Sequence, residues 1–190
     1  CSSARLLSGV PAGCEAVVVV NDAARQRTSS AGVALGSMIS ESGLLPDTAR
    51  AWRELAEVLD WSCERAFDEL LGRKCTVVVR SLSGDGPADW AILTEVSAEA
   101  DKRLRLRLRA APRGTIAGLA VLAVEDGKYE LAMGRGSPID PGLLPEGTAP
   151  TVTVLLAPGG GTPLFSELAP SLVTRTGLAS PSAVWRVGQK

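Results

Sequence analysis

Histidine is missing from this chain altogether, and that absence removes more chemistry than any residue present supplies. Without imidazole, the usual neutral-pH acid–base pairs and serine-hydrolase triads cannot be assembled, so an enzyme built here would rely on carboxylates, Lys or Cys alone. Lysine is scarce as well: Lys74, Lys102, Lys128 and Lys190 complete the set, and none stands in a Ser-x-x-Lys arrangement. Cys1, Cys14, Cys63 and Cys75 show none of the short paired spacings of zinc or redox motifs, which excludes the common metal sites. Aromatics make up 4% of the chain, too few for the stacking surfaces by which nucleic-acid readers hold bases. No apolar run approaches the roughly 20 residues of a membrane-spanning helix. Gly159-Gly160-Gly161 lacks the Gly-Lys-Ser/Thr of a phosphate-binding loop, so no cofactor is implied. Formal charge is −1, and no global field recruits a polyanion. The chain carries neither an initiating Met nor a signal-peptide core at its start, so a processed protein or a fragment is expected.

What is present is a core. At 190 residues and 45% hydrophobic, the chain is long enough for one full domain. Asp47 to Arg80 is its best-determined stretch. Ala51, Trp52, Leu55, Ala56 and Leu59 line one face of a helix, while Arg50, Arg53, Glu54, Glu57 and Asp60 fall mostly opposite. Asp47, after Pro46, suits the start of that helix. Ser62 is placed to cap a second short helix carrying Phe67, Leu70 and Leu71, and Gly72 is expected to end it in the left-handed conformation. Cys75 to Val79 then reads as a strand whose β-branched run implies cover on both faces.

Elsewhere, Glu15 to Val20 is a valine-rich strand after the turn at Val10-Pro11-Ala12-Gly13. Asn21 to Ser30 is a polar loop, and Val33, Leu35, Met38 and Ile39 mark a short helix weakened by Gly32 and Gly36. The turn at Ser83 to Pro87 makes a hairpin with Asp89 to Val96. Thr115 to Gly118 is short and extended. Leu119 to Val124 and Lys128 to Met133 form a second hairpin across Glu125-Asp126-Gly127, where Asp-Gly favours a primed turn. Gly134 to Pro150, with four prolines, reads as a linker or long surface loop. Thr151 to Leu156 is a strand, Leu164 to Val173 a short helix, and Ala183 to Val187 an edge strand. Residues 98–109 have two readings. Ser97 can cap a helix with its acids early and arginines late, but Leu104, Leu106 and Leu108 alternate with Arg103, Arg105, Arg107 and Arg109 in the period of a strand. Helix first, then strand, is the reading adopted.

Candidate sites are few. Lys102, Arg103, Arg105, Arg107, Arg109 and Arg113 form the one concentration of charge, able to meet phosphate-rich polymers or anionic headgroups; a solvated face is the commoner explanation of such a run. Asp22 with Glu95 would be a carboxylate pair if their strand ends converge, while a solvated turn is the ordinary place for Asp22. Cys14 and Cys75 both begin strands that can lie side by side, which makes them the disulfide to test against buried free thiols. Cys1-Ser2-Ser3 looks like the mature end of a lipidated protein, with a chain start that happens to fall on Cys as the alternative.

Val-Pro-Ala before a valine strand ending in Asp22, a helix around Trp52-Arg-Glu-Leu, Phe67-Asp-Glu-Leu-Leu-Gly-Arg, Trp90-Ala-Ile-Leu-Thr-Glu-Val and Ser97-Ala-Glu together resemble a family of uncharacterised exported bacterial proteins, over about Val10 to Met133. The resemblance implies an α+β module, often repeated in longer envelope-associated chains, with no assigned catalytic residues. The typical N-terminal membrane segment does not appear in the sequence.

The expectation is a single α+β domain, with a largely antiparallel sheet of about five to seven strands and two or three helices packed on one face. Residues 1–13 are an N-terminal extension, 134–150 a linker, and 151–190 a strand-helix addition that can complete a neighbour's sheet. The expected role is a non-catalytic, envelope-associated binding or scaffolding module with a protein partner or a second copy. Membrane attachment would come only through Cys1. The alternative is a small-ligand carrier or a His-independent enzyme using Asp22 and Glu95.

Overall fold

The computed structural model describes residues 14, 16–28, 46–81, 89–134, 138–145, 151–156 and 185–188. Their centre is an eight-stranded, wholly antiparallel sheet. The strands are β1 (Ala16–Asn21), β2 (Lys74–Ser81), β3 (Asp89–Glu95), β4 (Arg113–Ile116), β5 (Leu119–Glu125), β6 (Lys128–Met133), β7 (Thr151–Leu156) and β8 (Trp185–Gly188), in the order β4-β5-β6-β3-β2-β1-β7-β8. The helices are α1 (Ala23–Thr28), α2 (Pro46–Val58), α3 (Cys63–Leu70) and α4 (Ala98–Arg107). The mixed α+β class and the antiparallel sheet match the sequence expectation, and the short segments at both edges bring the strand count to eight.

Local chemistry explains each helix. α2 begins on Pro46, whose fixed φ suits a first helical position. Ser62 and Ser97 cap α3 and α4 by accepting from the Arg65 and Ala100 amides at 3.2 and 3.0 Å. All four helices send their apolar sides into one cluster on one face of the sheet, where Leu55, Leu59, Leu70 and Leu104 meet Trp90, Tyr129 and Leu131. Helical geometry settles residues 98–109: Leu104 and Leu108, four apart, point inward with Ala100, and Leu106 is left outside.

The opposite face is covered differently. Val17, Val19, Val78, Ala91 and Leu93 pack under Ile139, Leu143 and Leu144, from a segment that makes one 3₁₀ turn at Pro141–Leu143. Two hydrogen bonds pin it: the Thr76 hydroxyl donates to the Leu143 carbonyl at 2.7 Å, and the Ile139 amide donates to the Glu130 carboxylate at 2.7 Å. So the described part of 134–150 is a covering layer, because its apolar residues have an exposed valine face to bury; it is not a linker.

Other expectations are corrected by the backbone. The start of the polar loop after β1 is the short helix α1, with the Arg25 amide donating to Asp22 Oδ1 at 3.3 Å. Gly72 is not left-handed. A Cβ there would lie 2.2 Å from the Asp68 carbonyl oxygen, so glycine serves close packing against the end of α3. The primed turn also sits elsewhere: Ala117 and Gly118 have φ of 51° and 76° between the paired residues Ile116 and Leu119. At Asp126-Gly127 only Gly127 has positive φ, 69°, and the register shift between Ala123 and Glu125 takes up the twist. β7 and β8 extend the chain's own sheet beside β1. Cys1 and the rest of the N-terminal extension, the expected helices at 33–39 and 164–173, and the turn at 83–87 lie outside the described residues.

Candidate functional site

Strand register builds one site that the sequence did not announce. Lys74 pairs across to Glu95, Glu95 to Lys128, and Lys128 to Glu125, so four adjacent strands end in a row of alternating charge. Cross-strand partners share a face, and this row meets Pro141, Gly142, Leu144 and Pro145 of the covering segment around a cleft of about 520 Å³. Its charges are mutually engaged. Lys128 Nζ is 2.6 Å from Glu125 Oε2, Lys74 Nζ is 4.0 Å from Glu95 Oε2, and Arg73 adds a contact to Glu95 at 3.6 Å. Such a cleft can hold a small zwitterion, and among the described residues that line it each acid and base has an oppositely charged neighbour.

Asp22 and Glu95 stand at the same end of the sheet with β2 between them, and each carboxylate is engaged elsewhere. The Asp22 carboxylate accepts from the first turn of α1, while Glu95 is held by Arg73 and Lys74. Cys14 and Cys75 are apart, both as free thiols. The strands run antiparallel, with Val20 opposite Cys75 and Ala16 opposite Val79, so strand beginnings fall at opposite ends; the two thiols belong to the clusters on opposite faces. Burial pushes the Cys75 thiol up to about 12 and raises Cys14 too, which keeps both protonated and poorly nucleophilic at neutral pH.

The six cations of residues 102–113 divide into two kinds. Arg103 is turned inward: it binds Glu99 at 2.8 Å, donates to the Leu59 carbonyl, and lies 5.0 Å from the centroid of the Trp61 ring. Arg105 binds Asp101 at 2.9 Å and Asp126 at 2.8 Å, contacts that hold its guanidinium more firmly charged. Asp101 also accepts from the buried Tyr129 hydroxyl at 2.7 Å; burial, then this bond, raises the phenol's pKa. Lys102, Arg107, Arg109 and Arg113 are exposed, and none of them forms a salt bridge with a carboxylate among the described residues, Lys102 acting on Glu99 only through its field. Leu106, 76% exposed, shares the outward side of α4 with Lys102, one helical turn away. Past α4, Arg109 and Ala110 take φ of 52° and 59°, turning the chain into edge strand β4, which Arg113 opens.

The charge concentration was legible in the sequence; its division was not, since that depends on Trp61, Leu59 and Asp126 arriving from elsewhere. Lys74, Lys128 and Glu125 were missed because only strand pairing aligns them with Glu95. Among the described residues no group of His, Cys, Asp and Glu is arranged to hold a metal ion, and no helix is long and apolar enough to cross a membrane. No family model, curated protein or solved structure matches the chain.

Proposed function

We propose that this domain is a non-catalytic binding module that engages an anionic partner through the cationic apron formed by the end of α4 and the start of β4. The observation that carries the reading is the unequal treatment of the cations. Arg103 and Arg105 are neutralised by carboxylates of the same fold, while Lys102, Arg107, Arg109 and Arg113 face solvent without such partners. Exposed cations near one another attract an anionic surface in a salt-dependent way. Envelope association is part of the proposal and draws its support from the family resemblance. Retention of the full chain on heparin at low salt tests the module. Wild type is expected to bind and elute with rising salt, Arg107→Gln/Arg109→Gln is expected to elute earlier, and flow-through of the wild type at low salt would sink the reading.

The cleft supports a second reading, a carrier for a small zwitterion, because its Lys74–Glu95–Lys128–Glu125 row offers both charge signs one strand spacing apart. Calorimetric titration with free amino acids and dipeptides tests it. Binding weakened by Lys128→Ala supports the carrier, and the absence of heat with every member of the set removes it.

A further inference from the structure

The apron carries one feature that charge alone does not explain. Among the described residues, Leu106 is the large hydrophobic side chain left exposed, at 76%. Ala100, Leu104 and Leu108 take the inward side of α4, and Lys102 and Leu106, four residues apart, share the opposite side. Arg107 is adjacent, Arg109 follows where the chain turns, and Arg113 opens the edge strand. The nearby acids are already committed: Glu99 to Arg103, and Asp101 and Asp126 to Arg105. An exposed leucine beside cations that form no salt bridge contributes nothing to holding phosphates along a nucleic acid, and no exposed aromatic stands among residues 98–115 to stack on bases. On a bilayer both parts have work: the cations meet lipid phosphates, and the leucine reaches past them into the acyl boundary.

We infer that the α4–β4 apron docks this domain on an anionic bilayer surface, with Leu106 inserted among the acyl chains and Lys102, Arg107, Arg109 and Arg113 at headgroup level. The inference rests on the reading of the apron as a binding surface. The inward side of α4 is committed to the core, so the helix docks as part of a rigid body rather than lying down in the interface, and attachment is peripheral and reversible. Each cation near an anionic surface strengthens attachment about fivefold, and burial of one leucine about tenfold.

The test is cosedimentation of the full chain with vesicles of pure phosphatidylcholine and of equimolar phosphatidylcholine and phosphatidylglycerol, beside heparin retention. Wild type is expected to sediment with the anionic vesicles and not the neutral ones. Leu106→Ser should weaken vesicle binding about tenfold with heparin retention and melting temperature unchanged, whereas Arg107→Gln/Arg109→Gln should weaken both kinds of binding. Equal sedimentation with both vesicles, or a Leu106→Ser protein that binds like wild type, overturns the inference. Heparin retention without vesicle binding overturns the lipid partner and leaves the binding module standing; loss of both overturns both.

Discussion

Among the described residues, four helices press Leu55, Leu59, Leu70 and Leu104 onto Trp90, Tyr129 and Leu131 on one face of the sheet; on the other, segment 139–145 covers Val17, Val19, Val78 and Leu93. The first cover is held by apolar contact spread over several elements and is tied together between them, with the Trp90 indole donating to Thr48 at 3.0 Å and the Ser97 amide to the Glu69 carbonyl at 2.9 Å. The second is one turn of chain whose position depends on two side-chain hydrogen bonds. Each face carries one of the candidate surfaces. The apron stands on the outside of the thick cover and inherits its rigidity, whereas the cleft lies at the margin of the thin one, where a wall formed by Pro141 to Pro145 can shift.

The sharpest way to break this comparison uses two leucines that are both 0% exposed, Leu104 under the helices and Leu143 in the covering turn. Leu104→Ala is expected to cost toward the upper end of about 2–5 kcal/mol, since α4 is fixed on both sides and the cavity persists, and Leu143→Ala toward the lower end, since a single turn can collapse into the gap. Urea midpoints measure both, and equal losses would mean the two covers are equally rigid. Next in size is Thr76→Val, which keeps the shape but leaves the Leu143 carbonyl without its donor; a loss of about 1–3 kcal/mol is expected, and an unchanged midpoint would show that the tether does not hold the segment.

Glu130 sharpens the contrast through pH. Its carboxyl is buried, and desolvation raises its pKa against the opposing effects of the Ile139 amide and Arg80. The folded state therefore holds the Glu130 proton more tightly than the unfolded chain does. Its contribution is fully present below the ordinary carboxylate range and is lost as pH rises through the elevated folded value. Glu130→Gln, still able to accept from Ile139, should lose less stability than wild type as pH rises from the ordinary carboxylate range through the elevated folded value; parallel pH profiles would contradict this. The smallest effect belongs to the sheet edge. Ala117 holds a φ of 51°, which asparagine tolerates better, so Ala117→Asn should gain about 0.5–1 kcal/mol by thermal melting.

Much of the helical face could be read from the sequence because the signals there are local. The spacing of Ala51, Leu55, Ala56 and Leu59, the capping serines Ser62 and Ser97, and the valine runs of β1 and β2 each act within a few residues of themselves. The thin face was hidden because its determinants are pairings between distant segments: Thr76 with Leu143, Glu130 with Ile139. The same reason conceals the cleft, whose four charges come from four strands. Leu106 fell between the two periods, since alternation assigned it to the side of Leu104 and Leu108, and only the helical turn separates them. Cys14 and Cys75 are the buried free thiols that one sequence reading gave; the disulfide alternative fails because a strand's beginning says nothing about direction, and the antiparallel pairing of β1 and β2 sends the two beginnings to opposite ends.

β1 lies between β2 and β7, so the earliest of the described strands is completed on one side only by a strand begun at Thr151. On the ribosome, at roughly 5–20 residues per second, the valine-rich β1 waits on the order of ten seconds with that edge unpaired, exposed to whatever extended chain is near. The hazard is therefore greatest during synthesis and refolding rather than in the finished molecule. It is expected to appear as concentration-dependent loss of refolding yield, relieved when a peptide matching residues 151–156 is supplied in excess; a yield independent of concentration would show that the edge is protected some other way.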